Sequence, residues 1–463
     1  TGGAVSAYLM DGDVSVSNCT FAGNVSGPMN GMGGALYASC GPSGTGTLRM
    51  DGCTFRGNSA QNGGAVATVR VIDDGECPMP VEMSGCTFRG NTADYSGGAI
   101  DDEGDLSVTN TLFADNGAAL QGGAICAGTS DPEWTFAAIQ IGAGSVFRAN
   151  AATNDFEDSR FWTSGGAIAL SGFGYALSVA GRHVVFADNR AASATSAYGG
   201  AIAAAYGTEV EVAEAALLAN RADTVGGAIA AWGDRLTLST AIFSNNTVVS
   251  THGFGGAVSA EAGVALVMSN VTVRGANCNA VDAYQATARI VNCVLADNGG
   301  MDVSVGGASD AALVAEYSAF GRAQVEEGTP IVTNACLSAV TAAIFNGAAL
   351  DLAADSYNPV AALGLPQTAL DYNGVAYGSR PAGYSMGAFE CATATEIELV
   401  AVTWYHNRAD GLYYPRVELR FVGGEASRIA GVTLTCGEVV CELPPAAIST
   451  TSSCAGVSPL PQE

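Results

Sequence analysis

Lysine is absent from all 463 residues; the basic side chains are 18 arginines and three histidines. Against them stand 44 acids, giving a formal net charge of −26. A surface this acidic is a poor partner for nucleic acid or for an anionic membrane. Lineage or codon bias is the bland account of the missing lysine. Selection against exposed amines, for protease resistance or a high-salt habitat, is the sharper one. No apolar run approaches the ~20 residues that a membrane-spanning helix needs, so this segment is not expected to insert. No 3.6-residue apolar period is sustained, which argues against a helical protein. The chain starts at Thr1, directly on a repeat motif and with no signal peptide. An upstream part is therefore expected. No anchor is visible at the other end, so any anchor or barrel is expected outside these residues.

What the chain does have is glycine, 61 residues of it, much of it in one motif. Nine times Gly-Gly-Ala precedes a branched aliphatic residue, from Gly2-Gly3-Ala4-Val5 through Gly97-Gly98-Ala99-Ile100 to Gly255-Gly256-Ala257-Val258. A Phe-x-x-Asn usually follows about twenty residues later, beginning at Phe21, Phe55, Phe88, Phe113, Phe147, Phe186 and Phe243, with Leu217–Asn220 a weakened copy. A period of roughly 25–40 residues belongs to solenoids and propellers. Each unit reads as three short strand-like runs separated by turn residues, as in Ala65–Val69, Val81–Ser84 and Cys86–Phe88. Three strands per unit fit one coil of a right-handed parallel β-helix. A propeller blade needs four strands and a longer period. Stacked coils would place the phenylalanines in an internal column about 4.8 Å apart. The asparagines would form a ladder at one corner, where their tolerance of left-handed backbone is useful. The paired glycines fit a second corner, which needs positive φ or close backbone approach.

These two motifs over residues 1–263 resemble the repeats of the chlamydial polymorphic outer-membrane proteins and related bacterial surface proteins. The resemblance implies a right-handed β-helical passenger region displayed at a cell surface. Residues 264–391 read as degenerate later coils and a closing segment. There Asp371–Gly374, Arg380-Pro381 and Met386–Glu390 resemble the end of β-helix proteins of the choice-of-anchor type, with Ser385-Met386 where that pattern has Asp-Ile. Residues 392–463 change character: Glu396–Tyr405 and Arg416–Phe421 alternate polar and apolar residues, as half-buried antiparallel strands do. A small β-sandwich-like C-terminal module is expected, suited to capping an open coil end. The fold class is thus all-β.

The 13 cysteines fall into two groups. Cys19, Cys53, Cys86 and Cys293 share the slot two residues before the Phe position, and should stack inward as reduced thiols. Cys40, Cys77, Cys126, Cys278, Cys336, Cys391, Cys436, Cys441 and Cys454 are assigned to loops and the tail. Cys40–Cys77 is the best disulfide candidate, joining neighbouring coils. Cys436 with Cys441, or either with Cys454, would staple the tail. An exported, oxidising location fits such a set.

Candidate chemistry is sparse. Asp101, Asp102, Glu103 and Asp105 surround Gly104 in an acidic loop, a candidate Ca²⁺ site without EF-hand spacing; a solvated turn is the alternative, and no other cofactor is implied. Tyr95, Phe161, Trp162, Tyr198 and Phe254 recur just before the Gly-Gly corner, where they could stack on sugars or a protein partner. His183, His252 and His406 suggest no catalytic constellation, and a uronate lyase is harder to build without lysine. The leading expectation is a non-catalytic secreted or cell-surface rod that binds a surface glycan or protein ligand through its variable loops. A subunit of an extracellular filament or sheath, built as a homo-polymer, is the second reading, and a carbohydrate-active enzyme the third.

Overall fold

The computed structural model describes residues 2–338, apart from 10–11, 28–29, 41–43, 71–78, 129–136, 155–162, 173, 194, 308–310, 327–328 and 335, together with the strands Glu396–Asn407, Leu412–Gly423, Val432–Cys436 and Val439–Leu443. Among the described residues no helix is long and apolar enough to cross a membrane. The chain divides into two compact units. One comprises Thr1–Leu352 and Pro359–Glu390, the other Ala353–Asn358 and Cys391–Glu463.

The first unit is a right-handed parallel β-helix. Three sheets of 12 parallel strands run along it, and successive repeats contribute successive strands to each sheet. The corner sheet takes the strand after each Gly-Gly-Ala, the middle sheet the second run, and the phenylalanine sheet the third. Register is set by the repeat. In the corner sheet Val66 pairs with Ile100, Ile100 with Ile125, Ile125 with Ile168 and Ile168 with Ile202. All five point inward and are fully buried. Period-2 alternation fills the rest of the interior: Leu106 and Val108 of the middle sheet are buried, while Ser107 between them is half-buried.

In the phenylalanine sheet, Phe21, Phe55, Phe88, Phe113, Phe147 and Phe186 form one continuous stack. Adjacent ring centroids lie 4.6–4.9 Å apart, with planes within 8° of parallel. That spacing is the inter-strand distance itself. Leu217 interrupts the column, and Phe243 pairs with it in register.

Beside the rings runs the asparagine ladder. Each asparagine from Asn24 to Asn220 donates both its backbone N–H and its Nδ2 to the Oδ1 of the asparagine one coil on, at 2.9–3.1 Å. From Asn58 onward Nδ2 also donates to the Phe or Leu carbonyl of the preceding coil. The ladder is where the motif places it, but the backbone reason differs. The left-handed residue is the one before each asparagine: Gly57, Gly90, Asp115, Ala149, Asp188, Ala219 and Asn245 all have φ of 52–61°. The asparagine is chosen for its two-sided amide, not for its φ.

The two glycines of each corner serve different needs. The first adopts φ near +61 to +65° in every copy from Gly33 to Gly255. The second packs backbone to backbone: a Cβ on Gly98 would strike the carbonyl oxygen of Gly123, and one on Gly123 that of Gly166. Positive φ alone would explain only one of them.

A fourth, seven-stranded sheet lies between the ladder and the glycine corner, adding a strand to the three expected per unit. Its strands, such as Ser59–Asn62 and Ala151–Asn154, are short and polar. One small inward residue fills the space in each: Ala60, Ala93, Ala118, Ala152, Ala191, Ala222 and Val248, all buried. A lone alanine among polar neighbours leaves no apolar alternation to read.

The cysteines need partial reassignment. Cys19, Cys53, Cys86 and Cys293 are free and immediately precede strands of the phenylalanine sheet. Burial pushes the Cys86 thiol up to about 11 and the Cys293 thiol up to about 12. Cys336, assigned to the loops, immediately precedes the strand Leu337–Ser338 and so shares their slot. Cys40 and Cys126 belong to corner-sheet strands, not loops. Cys77, the expected partner of Cys40, lies outside the described residues, as do Cys391 and Cys454.

In the second unit, Glu396–Asn407 pairs antiparallel with Leu412–Gly423, and Val432–Cys436 with Val439–Leu443. Among the described strands these are two separate two-stranded sheets. Register sets Cys441 opposite Leu434 and Cys436 opposite Val439. The Asp371–Glu390 closing segment lies outside the described residues.

Candidate ligand groove

The outer face of the corner sheet carries the most varied chemistry of the rod. Inward residues of each strand hold the core, so two residues per coil are left to face out. In coil order these pairs are Asp101 and Glu103, Cys126 and Gly128, Ala169 and Ser171, Ala203 and Ala205, Ala230 and Trp232, Ser259 and Glu261, then Asp282 and Tyr284. Beside them the residue preceding each Gly-Gly forms a second row. Bridges link Ser96 to Gln121, Gln121 to Ser164, Tyr198 to Val225 and Val225 to Phe254, and Ser164 pairs with Tyr198.

The two rows enclose a cavity of about 340 Å³ in the middle of the rod. Ala203 and Ala205 contribute small side chains that leave it open, and Tyr198, Tyr206 and Trp232 supply aromatic surface. Tyr198 and Trp232 meet edge to face at 4.7 Å. The Trp232 indole Nε1–H donates to Glu261 Oε2 at 3.1 Å, and Ser259 Oγ–H donates to Glu261 Oε1 at 2.9 Å. Among the described residues Glu261 is the one charged side chain in the lining; Gln121, Ser164 and Ser171 add neutral polar groups. Tyr206 is 53% exposed, its ring free for contact.

Of the aromatic candidates, Tyr198 is in this site. Phe254 occupies the same row two coils on and is 50% exposed. Tyr95 stands one residue before that row. Phe161 and Trp162 lie outside the described residues. Trp232 and Tyr206 escaped the sequence reading because they follow the corner strand instead of preceding the glycines. Period-2 counting carried past Gly-Gly-Ala-Ile would have put Trp232 on the outer face.

The acidic loop is a different kind of place. Asp102 points into the core, fully buried, where it accepts hydrogen bonds from Thr68 Oγ1 and, at 3.2 Å, from the Gly104 N–H. Burial pushes it up to about 6. Glu103 accepts from the Arg70 N–H at 3.0 Å and Asp105 from the Ala138 N–H at 2.9 Å. Tyr175, buried in the core, donates its hydroxyl to the Glu103 carbonyl at 3.1 Å. Asp101 faces outward beside Cys126. Burial, then the Glu103 and Asp102 charges, hold its carboxyl well above the usual range. Asp102, Glu103 and Asp105 thus each cap a different neighbour, and Asp101 stands apart from them. Among the described residues no group of three His, Cys, Asp or Glu side chains is placed to hold a metal ion. Nor is the loop a solvated turn, since Asp102 is sealed inside.

At the other end of the groove Asp282 is buried on the outer face, one coil beyond Glu261. Burial, and secondarily the Glu261 charge, push it up to about 6, against a hydrogen bond from Ser304 that opposes the shift.

Comparison with known proteins returns one family. Residues 85–101 and 110–128 match the Chlamydia polymorphic membrane protein repeat. No curated protein and no solved structure matches the chain. The matched stretches hold Phe88–Asn91, Gly97–Ile100, Phe113–Asn116 and Gly122–Ile125, the residues that build the ring stack, the ladder and the corner. In the motifs of these successive coils, this β-helix resembles the Chlamydia polymorphic membrane protein repeat.

Proposed function

We propose that this chain forms the rod of a cell-surface protein, displayed in passenger-like fashion, and that it binds a glycan in the groove beside Trp232 without turning it over. Surface display is supported by the resemblance to repeats of a polymorphic membrane protein. The observation that carries the binding reading is the groove itself. Three aromatic rings, an amide and two hydroxyls surround a cavity of about 340 Å³. That combination of apolar faces and a few polar groups is how proteins hold sugars and other small ligands. The groove also follows the coil axis. Its outward positions recur about every 4.8 Å from coil to coil, close to the length of one pyranose ring, so a chain of sugars can lie along it in step with the coils.

Calorimetric titration with a panel of neutral, acidic and amino-sugar oligosaccharides tests the reading. At least one class should bind, and Trp232→Ala should weaken it by roughly tenfold or more, with the melting temperature serving as the folding control. No new reducing ends should form. A panel without binders, or a binder indifferent to Trp232→Ala, removes the groove from the proposal.

A further inference from the structure

The charges around the groove say which sugars suit it, on the reading that the groove binds a glycan. From Asp101 to Ser304 no outward position of the corner sheet is an arginine, and the chain has no lysine. Glu261 stands in the lining beside an uncharged alanine floor, while Asp101 and Asp282, farther along the rod, are held toward the protonated form by burial. Among the described lining residues an acidic sugar would meet the Glu261 carboxylate and no cation to neutralise it. A cation would find a prepared seat. Glu261 is oriented by Trp232 Nε1 and Ser259 Oγ. Tyr284 pairs with it in register one coil on, 51% exposed. An ammonium placed there has aromatic faces and a carboxylate together, the two features that hold amines on proteins.

We propose that the groove is selective for an amine-bearing glycan, a chain of hexosamines with free amino groups, whose ammonium sits at Glu261 between Trp232 and Tyr284. Aromatic rings hold the sugar faces, and Glu261 distinguishes the amine from its acetylated or acidic counterparts.

Glucosamine, N-acetylglucosamine and galacturonate hexasaccharides, titrated in weakly acidic buffer where the sugar amines are protonated, provide the test. The glucosamine chain should bind at least about tenfold more tightly than the N-acetylated chain, a difference of about 1.4 kcal/mol, and the galacturonate chain should not bind. Added salt should weaken the glucosamine complex most. Glu261→Gln keeps an acceptor for the indole and should erase the preference for the amine, with its melting temperature serving as the folding control. Equal binding of the amine and acetylated chains, or tightest binding of galacturonate, overturns the charge selectivity while the groove stands. Binding of all three that ignores Trp232→Ala overturns both.

Discussion

Inside the phenylalanine sheet the same ring returns in six successive coils, at 4.6–4.9 Å and nearly parallel. On the outside of the corner sheet, from Asp101 to Tyr284, no coil presents the same pair of outward residues as another. Both faces belong to the same coils and obey the same register. The difference is what each face must satisfy. An interior position has to fit its neighbours above and below, so one good solution is copied. An outer position is released from that ring-on-ring fit, and the backbone ladder holds whichever residue stands there. Repetition therefore reports stability and variation marks where that demand ends, which is why the resemblance to a repeat family explains the rod and leaves the groove to experiment.

The comparison is most strongly broken from the inside. Phe88→Ala removes the centre of a ring column and leaves a cavity that stacked strands cannot close. The expected cost is about 3–5 kcal/mol, seen as a lower denaturant midpoint. A near-neutral result would mean that the rings do not stack.

Asp102 is the interior position that breaks the apolar rule, and it tests whether the core tolerates charge. Its folded value of about 6 lies above that of an unfolded aspartate, so the folded state holds the proton more tightly. Stability should be greatest in acid and fall as pH rises from about 4 to 6, by about 2–3 kcal/mol for this group. Asp101, Glu103, Asp282 and Asp302 are raised too, each chiefly by burial, and add to the same slope. Melting curves across that range should flatten in Asp102→Asn. A protein that instead gains stability up to neutral pH would place these acids outside the core.

Asn116→Ala removes one rung of the ladder and orphans the donors of Asn91. A loss of about 1–3 kcal/mol is expected, with faster hydrogen exchange at the Asn91 amide as the local sign. The smallest effect belongs to the outer face. Trp232→Ala gives up the Tyr198 contact and the indole hydrogen bond and should cost only about 1 kcal/mol, although it is expected to abolish most ligand binding. A large loss of stability there would make Trp232 part of the scaffold and erase the contrast.

Much of the interior was legible because its constraints act on short motifs. Phe-x-x-Asn shows a buried ring and a corner amide, and Gly-Gly shows a turn with close backbone approach. Other features lacked a local signal. Ala152 looks like any alanine until its strand is placed in the fourth sheet. Asp102 looks solvated among three other acids, and only register with Thr68 turns it inward. The groove is harder still, because Gln121, Tyr198, Trp232 and Glu261 come from four different coils and meet only after stacking.

The asparagine ladder also gives the rod a direction. Each amide hands two donors forward to the next coil's oxygen and receives two from the coil behind. A coil's own donors are therefore satisfied only when its successor has been laid down. A chain folding from its first coil onward keeps an open rung at the growing tip, which the next Phe-x-x-Asn closes. A coil entering upside down would face donors with donors.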